Sequence, residues 1–329
     1  MSLERYKVFV TRVIPQPGLD ILTRSLKHVK VNTADHILSR EEFLENVKGL
    51  DGLLSLLTER VDAEAMETAG PQLKIVANHA VGFDNIDLPA ATERGILVTN
   101  TPGVLTDATS DFAWTLLFAT ARRIAEADKF TRALNYKGWG PMMYLGGDIT
   151  GRTLGVVGAG RIGAAMAAKS TGFKMRVLYC DEFRNDKLEK EIGARKVGFE
   201  ELLRESDFIS VHVPLLESTH HLFNDTAFKL MKRTAYLINT SRGPVVEEAA
   251  LVRALKDGEI AGAGLDVYED EPKIHTGLLE LDNAVLAPHI ASATIETRSK
   301  MATMAASNLV AGLKGERPAN LLNPEVLDK

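Results

Sequence analysis

Gly158, Gly160 and Gly163 form a G-x-G-x-x-G run, and Asp181 closes the next apolar stretch after it. Glycines at this spacing permit a tight turn (Gly158), close approach of backbone amides to a pyrophosphate (Gly160) and close packing of a helix on a strand (Gly163). Further along stand Arg242, Glu271 and His289. Arg242 offers a planar fork matched to a carboxylate, and His289 exchanges protons near neutral pH. Glu271, if within hydrogen-bonding reach of His289, would orient the ring and favour its protonated form. Dinucleotide binding combined with general acid/base work on a small carboxylic acid is the chemistry open to such a set.

The elements around these residues decide how much weight they carry. A lone G-x-G-x-x-G is weak, because glycines also serve ordinary turns. Here Leu154 to Val157 reads as a buried parallel strand, Ile162 to Ser170 as an Ala-rich helix, and Arg176 to Cys180 as a second strand ending on Asp181. Strand, glycine turn, helix and trailing acid together are the context of a dinucleotide site. The helix start, with Arg161 and Ile162, offers unpaired N–H groups to a pyrophosphate. Asp181 is placed to accept hydrogen bonds from the adenosine ribose and would repel a 2′-phosphate, so the expected cofactor is NAD rather than NADP. Arg184, three residues on, would soften that exclusion if it swung over the ribose; a solvated surface arginine is the plainer reading. Thr240 completes the expected cofactor set.

Across the first hundred residues strands alternate with helices: strands at 7–14, 29–32, 53–57, 73–78 and 96–99, helices at 17–25, 40–48 and 63–69. Such alternation specifies a parallel sheet with helices on both faces. After the strand ending at Asn78 comes HAVGFDNID, which places Val81 and Gly82 at a strand outlet, where open α/β sheets bind ligands. Their backbone N–H groups could hold a carboxylate; a glycine turn capped by Asp84 and Asn85 is an equal alternative on spacing alone. Asp107 to Phe130 then reads as one long helix, apolar all round and so buried between domains or subunits. Asn135 to Gly147 follows as an irregular loop with exposed-looking Trp139, Met142, Met143 and Tyr144, the kind of apolar patch that marks a contact. A homodimer is the expectation.

Beyond Thr153 a second α/β alternation begins. Arg242, Glu271 and His289 each fall just past the carboxyl end of one of its strands, where ligands bind in open parallel sheets. Taken singly, each has a commoner role: surface cation, solvated charge in the run EDE, core histidine beside a proline. His212, inside a strand, reads as structural, while His220 and His221 lie in an exposed-looking segment and compete for the catalytic role.

Composition narrows the class. The chain has 329 residues, 45% hydrophobic and 25% charged, with a net charge of −5 and one cysteine, Cys180. That is enough chain for two domains with their own cores. The acidic balance argues against nucleic acid or an anionic membrane surface as partner, and no apolar run reaches membrane-spanning length. One cysteine excludes an internal disulfide and a multi-thiolate metal site. The charged N-terminus MSLERYKVFV does not read as a secretory leader. The expectation is a cytoplasmic enzyme without a metal.

Taken together, GxGxxG with its trailing Asp, INTSRGPVV, GAGLDVYEDEP and APHIASAT resemble the D-isomer-specific 2-hydroxyacid dehydrogenases, and the resemblance covers nearly the whole chain. VGFDNID and TPGVLTDATSDFAWTLL add a likeness to the glyoxylate and hydroxypyruvate reductase branch. The resemblance implies a fold of two doubly wound parallel-sheet domains: a flavodoxin-like substrate-binding domain of residues 1–102 and 290–329, and a Rossmann NAD-binding domain of residues 103–289. It assigns Arg242 to substrate binding, Glu271 and His289 to the acid/base pair, Val81 and Gly82 to the substrate carboxylate, and Asp266 to the nicotinamide carboxamide. Trp139 matches an aromatic that, in this branch, reaches the partner subunit's site. The implied reaction is hydride transfer between NAD(H) and a short 2-oxo or 2-hydroxy acid, with glyoxylate or hydroxypyruvate first. 3-Phosphoglycerate, D-lactate and a non-catalytic NAD(H)-sensing binding protein are the alternatives. Cys180-Asp181-Glu182 departs from the Ser-Arg-Thr-like residues of NADP-preferring members and again favours NAD.

Overall fold

The structure is a computed structural model that describes residues 3–34 and 36–328. The chain divides into two compact units: one runs to Leu105 and resumes at Ala293, the other spans Thr106–Ser292. Among the described residues no helix is long and apolar enough to cross a membrane.

In the first unit, β1 (Lys7–Val10), β2 (His28–Val31), β3 (Gly52–Ser55), β4 (Ile75–Asn78) and β5 (Leu97–Thr99) pair in parallel in the order β2-β1-β3-β4-β5. This is the flavodoxin-like doubly wound order. Successive strand residues face opposite sides, so each strand feeds two cores. Val8, Val10, Leu54, Ile75 and Ala77 pack under helices Gln16–Ser25 and Ile295–Lys314, while Phe9, Leu53, Val76 and Val98 pack under Arg40–Val47 and Ala63–Ala69. The helix starts follow their caps. Ser39 and Glu42 form a capping box, and Asp62 accepts from Ala65 N. Thr294 accepts from Thr297 N and so starts the last helix at Ile295. The short helix Leu88–Glu93, six residues long, was too brief to leave a helical period in the sequence.

His79, just past β4, is 5% exposed, and burial, aided by the Arg298 charge, pushes its imidazole down to about 4. The folded chain therefore resists a proton that the unfolded chain takes up below its ordinary value near 6.5. The linkage runs one way: stability from this residue is complete above that value and is lost as pH falls towards 4, by about 2 kcal/mol at pH 5. His79→Phe should accordingly show a flatter dependence of melting temperature on pH between 6.5 and 4 than the parent chain, measured by thermal denaturation across that range.

In the second unit, β6 (Thr153–Val157), β7 (Arg176–Cys180), β8 (Arg195–Lys196), β9 (Phe208–Val211), β10 (Tyr236–Asn239), β11 (Gly262–Leu265) and β12 (Ala284–Leu286) form a parallel sheet in the order β12-β11-β10-β9-β6-β7-β8. This is the Rossmann order with one further strand at the β12 edge. The single long helix expected over 107–130 is two, Thr106–Ala121 and Ile124–Arg132, broken by Arg123 in the left-handed region at φ 51°. Apolar spacing continues across the break and so hid it. Arg123 is locked there by two hydrogen bonds to Glu126, 2.9 and 2.7 Å, and by one to the Leu145 carbonyl. The expected burial between domains or subunits is also corrected for the first of these helices. Ala113, Trp114, Leu116 and Leu117 join Leu154, Val156, Met166 and Tyr179 in this unit's own core, and Trp114 Nε1 donates to the Met166 carbonyl at 3.1 Å. The second helix buries no residue. In the loop after it Trp139 is 83% and Met142 78% exposed. Tyr144 is instead half-buried, edge-on to Phe130 and under the Arg123 guanidinium.

Candidate active site

The glycine turn after β6 is dictated by crowding. Gly158 has φ +91°, and a Cβ there would lie 2.8 Å from the His212 carbonyl; a Cβ on Gly163 would sit 1.9 Å from the Gly158 oxygen. A Cβ on Gly160 would meet nothing within 4 Å, so this face is open to a pyrophosphate. The helix Arg161–Lys169 begins at Gly160 with no side-chain cap, which leaves its first N–H groups, including those of Arg161 and Ile162, to a ligand. Gly163→Ala should therefore destabilise the second unit by about 1–3 kcal/mol and weaken NADH binding, read by denaturant titration and by nucleotide fluorescence.

Asp181 lies beyond β7, half-buried, with Oδ2 accepting from Ala159 N at 2.6 Å and Oδ1 from Phe183 N at 3.2 Å. Each oxygen keeps a second lone pair. Arg184 does not lean over this carboxylate. It is paired with Asp186 and with Glu189, whose other oxygen accepts from the Tyr179 hydroxyl at 2.7 Å. Glu189's part leaves no sign in the sequence, because an acid inside a solvated helix looks like any other. Thr240, after β10, has a buried hydroxyl without a hydrogen-bond partner among the described residues. Open glycine face, uncapped helix start, ribose-type acid and orphaned hydroxyl fit a dinucleotide.

Past the carboxyl ends of β10, β11 and β12, the second unit brings Arg242, Glu271 and His289 together. Asn239 ends β10 and folds the next turn: Oδ1 accepts from Ser241 N and Oγ, and Nδ2 donates to the Arg242 carbonyl at 2.9 Å. Gly243 follows because a Cβ there would lie 1.7 Å from the Tyr268 oxygen, so this turn sits against the chain leading to Glu271. Glu271 Oε1 accepts from Tyr268 N at 3.0 Å and Oε2 meets His289 Nδ1 at 2.9 Å. Burial pushes the Glu271 carboxyl up, but the His289 hydrogen bond and charge, the Tyr268 N–H and the Arg242 charge outweigh it and hold it below the ordinary value. Glu271 is therefore an anion at neutral pH.

His289 is in the left-handed region at φ 54°, a conformation that histidine tolerates better than most side chains. Asp266 holds it there: fully buried, it accepts from Ile290 N and Ala291 N, both at 2.7 Å. Burial pushes the Asp266 carboxyl up against the pull of those two amides. Tyr268 clamps the other side, donating its hydroxyl to the Ala287 carbonyl at 2.8 Å. Tyr268 was not singled out in the sequence, where it looked like one more apolar residue at a strand end.

The rival histidines are otherwise engaged. His212 Nε2 lies 2.8 Å from Ser210 Oγ, and His221 Nε2 lies 2.6 Å from Glu269 Oε1. His220, exposed, stacks on His221. In the first unit, Val81 and Gly82 are half-buried in the loop beyond β4. No group of histidine, cysteine and acid side chains able to hold a metal occurs among the described residues.

A twice-wound α/β chain with a dinucleotide turn and an Arg, Glu and His set beyond its strand ends defines a nicotinamide-dependent dehydrogenase. The family model "D-isomer specific 2-hydroxyacid dehydrogenase, NAD binding domain" matches residues 114–291. The chain is 52% identical over 326 residues to a glyoxylate reductase of Thermococcus onnurineus, covering 98% of this chain and 97% of that one. It is 54% identical over 323 residues to a glyoxylate reductase of Korarchaeum cryptofilum, with 98% and 97% covered. Among solved structures it resembles the NADPH-dependent glyoxylate/hydroxypyruvate reductase of Sinorhizobium meliloti in complex with NADP and malonate, at 31% identity and a TM-score of 0.84, with 98% of each chain covered. The chain belongs to the D-isomer-specific 2-hydroxyacid dehydrogenases.

Proposed function

We propose that this protein reduces a short 2-oxo acid, glyoxylate or hydroxypyruvate, with NADH. The observation that carries the reading is the 2.9 Å contact of His289 with an anionic Glu271 in the presence of the Arg242 charge. The second unit, Thr106–Ser292, takes the cofactor role, and the first unit the substrate role. The nicotinamide supplies the hydride. Glu271 faces Nδ1, so the other ring nitrogen of His289 is left to give a proton to the carbonyl oxygen, help worth roughly 10²- to 10⁴-fold. Arg242 binds the carboxylate and polarises the carbonyl; in the first unit the Val81 and Gly82 amides are assigned to a substrate carboxylate. Gly158, Gly160, Arg161, Ile162 and Gly163 bind the pyrophosphate, Thr240 and Asp266 the nicotinamide side.

The preference for NAD over NADP is supported by the Asp181 carboxylate and by the pairing of Arg184 with Glu189. The exposed run from Leu134 to Leu145 supports a homodimer in which Trp139 approaches the partner's site. A cytoplasmic location belongs to the same proposal and agrees with a single cysteine.

The test is oxidation of NADH and NADPH against glyoxylate, hydroxypyruvate, pyruvate and 3-phosphohydroxypyruvate. Turnover with glyoxylate or hydroxypyruvate and preference for NADH are expected. Tight NADH binding with no turnover on any acid would overturn the reductase reading, and a preference for NADPH would overturn the role given to Asp181.

A further inference from the structure

In the first unit, three consecutive carbonyls of the loop beyond β4 are each pulled towards the body of the fold. The Ala80 oxygen accepts from Thr101 N at 2.8 Å, the Val81 oxygen from Asn100 Nδ2 at 2.8 Å, and the Gly82 oxygen from Asn78 Nδ2 at 2.8 Å. A peptide is planar and trans, so its N–H points opposite to its C=O. Fixing these three carbonyls therefore aims the N–H groups of Val81, Gly82 and Phe83 away from their holders. Among the described residues no acceptor takes any of the three. Asn78 is fully buried and Asn100 is 7% exposed, and both are themselves anchored. Asn78 Oδ1 accepts from Ser55 Oγ, and the Asn100 backbone is tied to Asn308 and Asn320. Side-chain amides at two buried strand outlets are costly to bury and are retained where they hold something in place.

We infer that Asn78 and Asn100 are positioning residues for the substrate carboxylate: they set the peptide planes of Val81, Gly82 and Phe83 so that successive N–H groups form one anion-binding cradle. This rests on the reading that the 81–82 amides bind the carboxylate. Neither asparagine touches the substrate, and their contribution is to orientation. The class of ligand is a small carboxylate, recognised at its oxygens without regard to the rest of the acid.

The experiment compares Asn100→Ala, Asn78→Ser and Gly82→Pro, the last of which deletes one of the amides itself. The dissociation constant of oxamate from the enzyme·NADH complex is measured by fluorescence, alongside KM and kcat for glyoxylate, NADH affinity and the melting curve. Asn100→Ala should raise the oxamate constant and KM by roughly 10-fold, the effect of one hydrogen bond, with kcat, the pH profile and NADH affinity unchanged. Asn78→Ser reads the same effect in a chain whose Asn100 is intact, so a failure of either variant to fold leaves the other to decide. Unchanged oxamate binding in the folded asparagine variants, with binding lost in Gly82→Pro, would overturn this inference alone. Unchanged binding in Gly82→Pro would overturn the reading of the loop on which it rests.

Discussion

Replacing His289 by Asn should lower kcat roughly 10²- to 10⁴-fold while leaving NADH affinity as it was. Asparagine is chosen because position 289 has φ 54°, a left-handed conformation that Asn adopts readily, so the turn held by Asp266 survives the change. What is lost is the imidazole N–H that the proposed reaction uses to give the carbonyl oxygen its proton. Glu271→Gln should fall less far, because a neutral amide still orients the ring but no longer supplies the charge opposite Nδ1. Single-turnover oxidation of bound NADH, followed by fluorescence, separates this loss from any effect on binding. A His289→Asn enzyme with near-normal kcat would remove the residue from the proton step.

The second large effect is expected at Arg242. Arg242→Gln should reduce kcat/KM for glyoxylate by roughly 10²- to 10³-fold, the range seen when one oriented donor to a developing oxyanion is removed. Both parts of the ratio should move if, as proposed, the guanidinium binds the carboxylate in the ground state and meets growing charge on the carbonyl oxygen later. Arg242→Lys should recover only part of the loss, because an ammonium keeps the charge but not the planar fork. The folded-state consequence is readable too: the Arg242 charge helps to hold the Glu271 carboxyl below its ordinary value. Without it, the acid limb of the pH–rate profile should move upward in pH, and steady-state kinetics across pH checks both statements.

Much of this arrangement was legible in the residues themselves, for reasons that differ from place to place. Strands with both faces buried read as short apolar runs, and the Rossmann turn carried its own steric grammar in three glycines. Singling out Arg242, Glu271 and His289 as candidates needed more than spacing, since each looks ordinary alone; the motifs around them made the choice. The break at Arg123 was hidden because apolar periodicity survives a change of backbone direction that one left-handed residue makes. Tyr268, Asn78, Asn100 and Glu189 were hidden for another reason. Each acts by holding a second group in place, and such a role depends on distances between segments far apart in sequence.

Glu271 and His289 descend from neighbouring strands, β11 and the edge strand β12, that pair over only three positions, Ala263 with Ala284 to Leu265 with Leu286. A slip of one residue in that pairing would exchange the two faces of β12 and carry the imidazole away from its acid. Most of the sheet and both helical layers would be undisturbed. Recovered activity after refolding is therefore a proofreading signal for the last strand, one that a circular dichroism spectrum, blind to register, would not give.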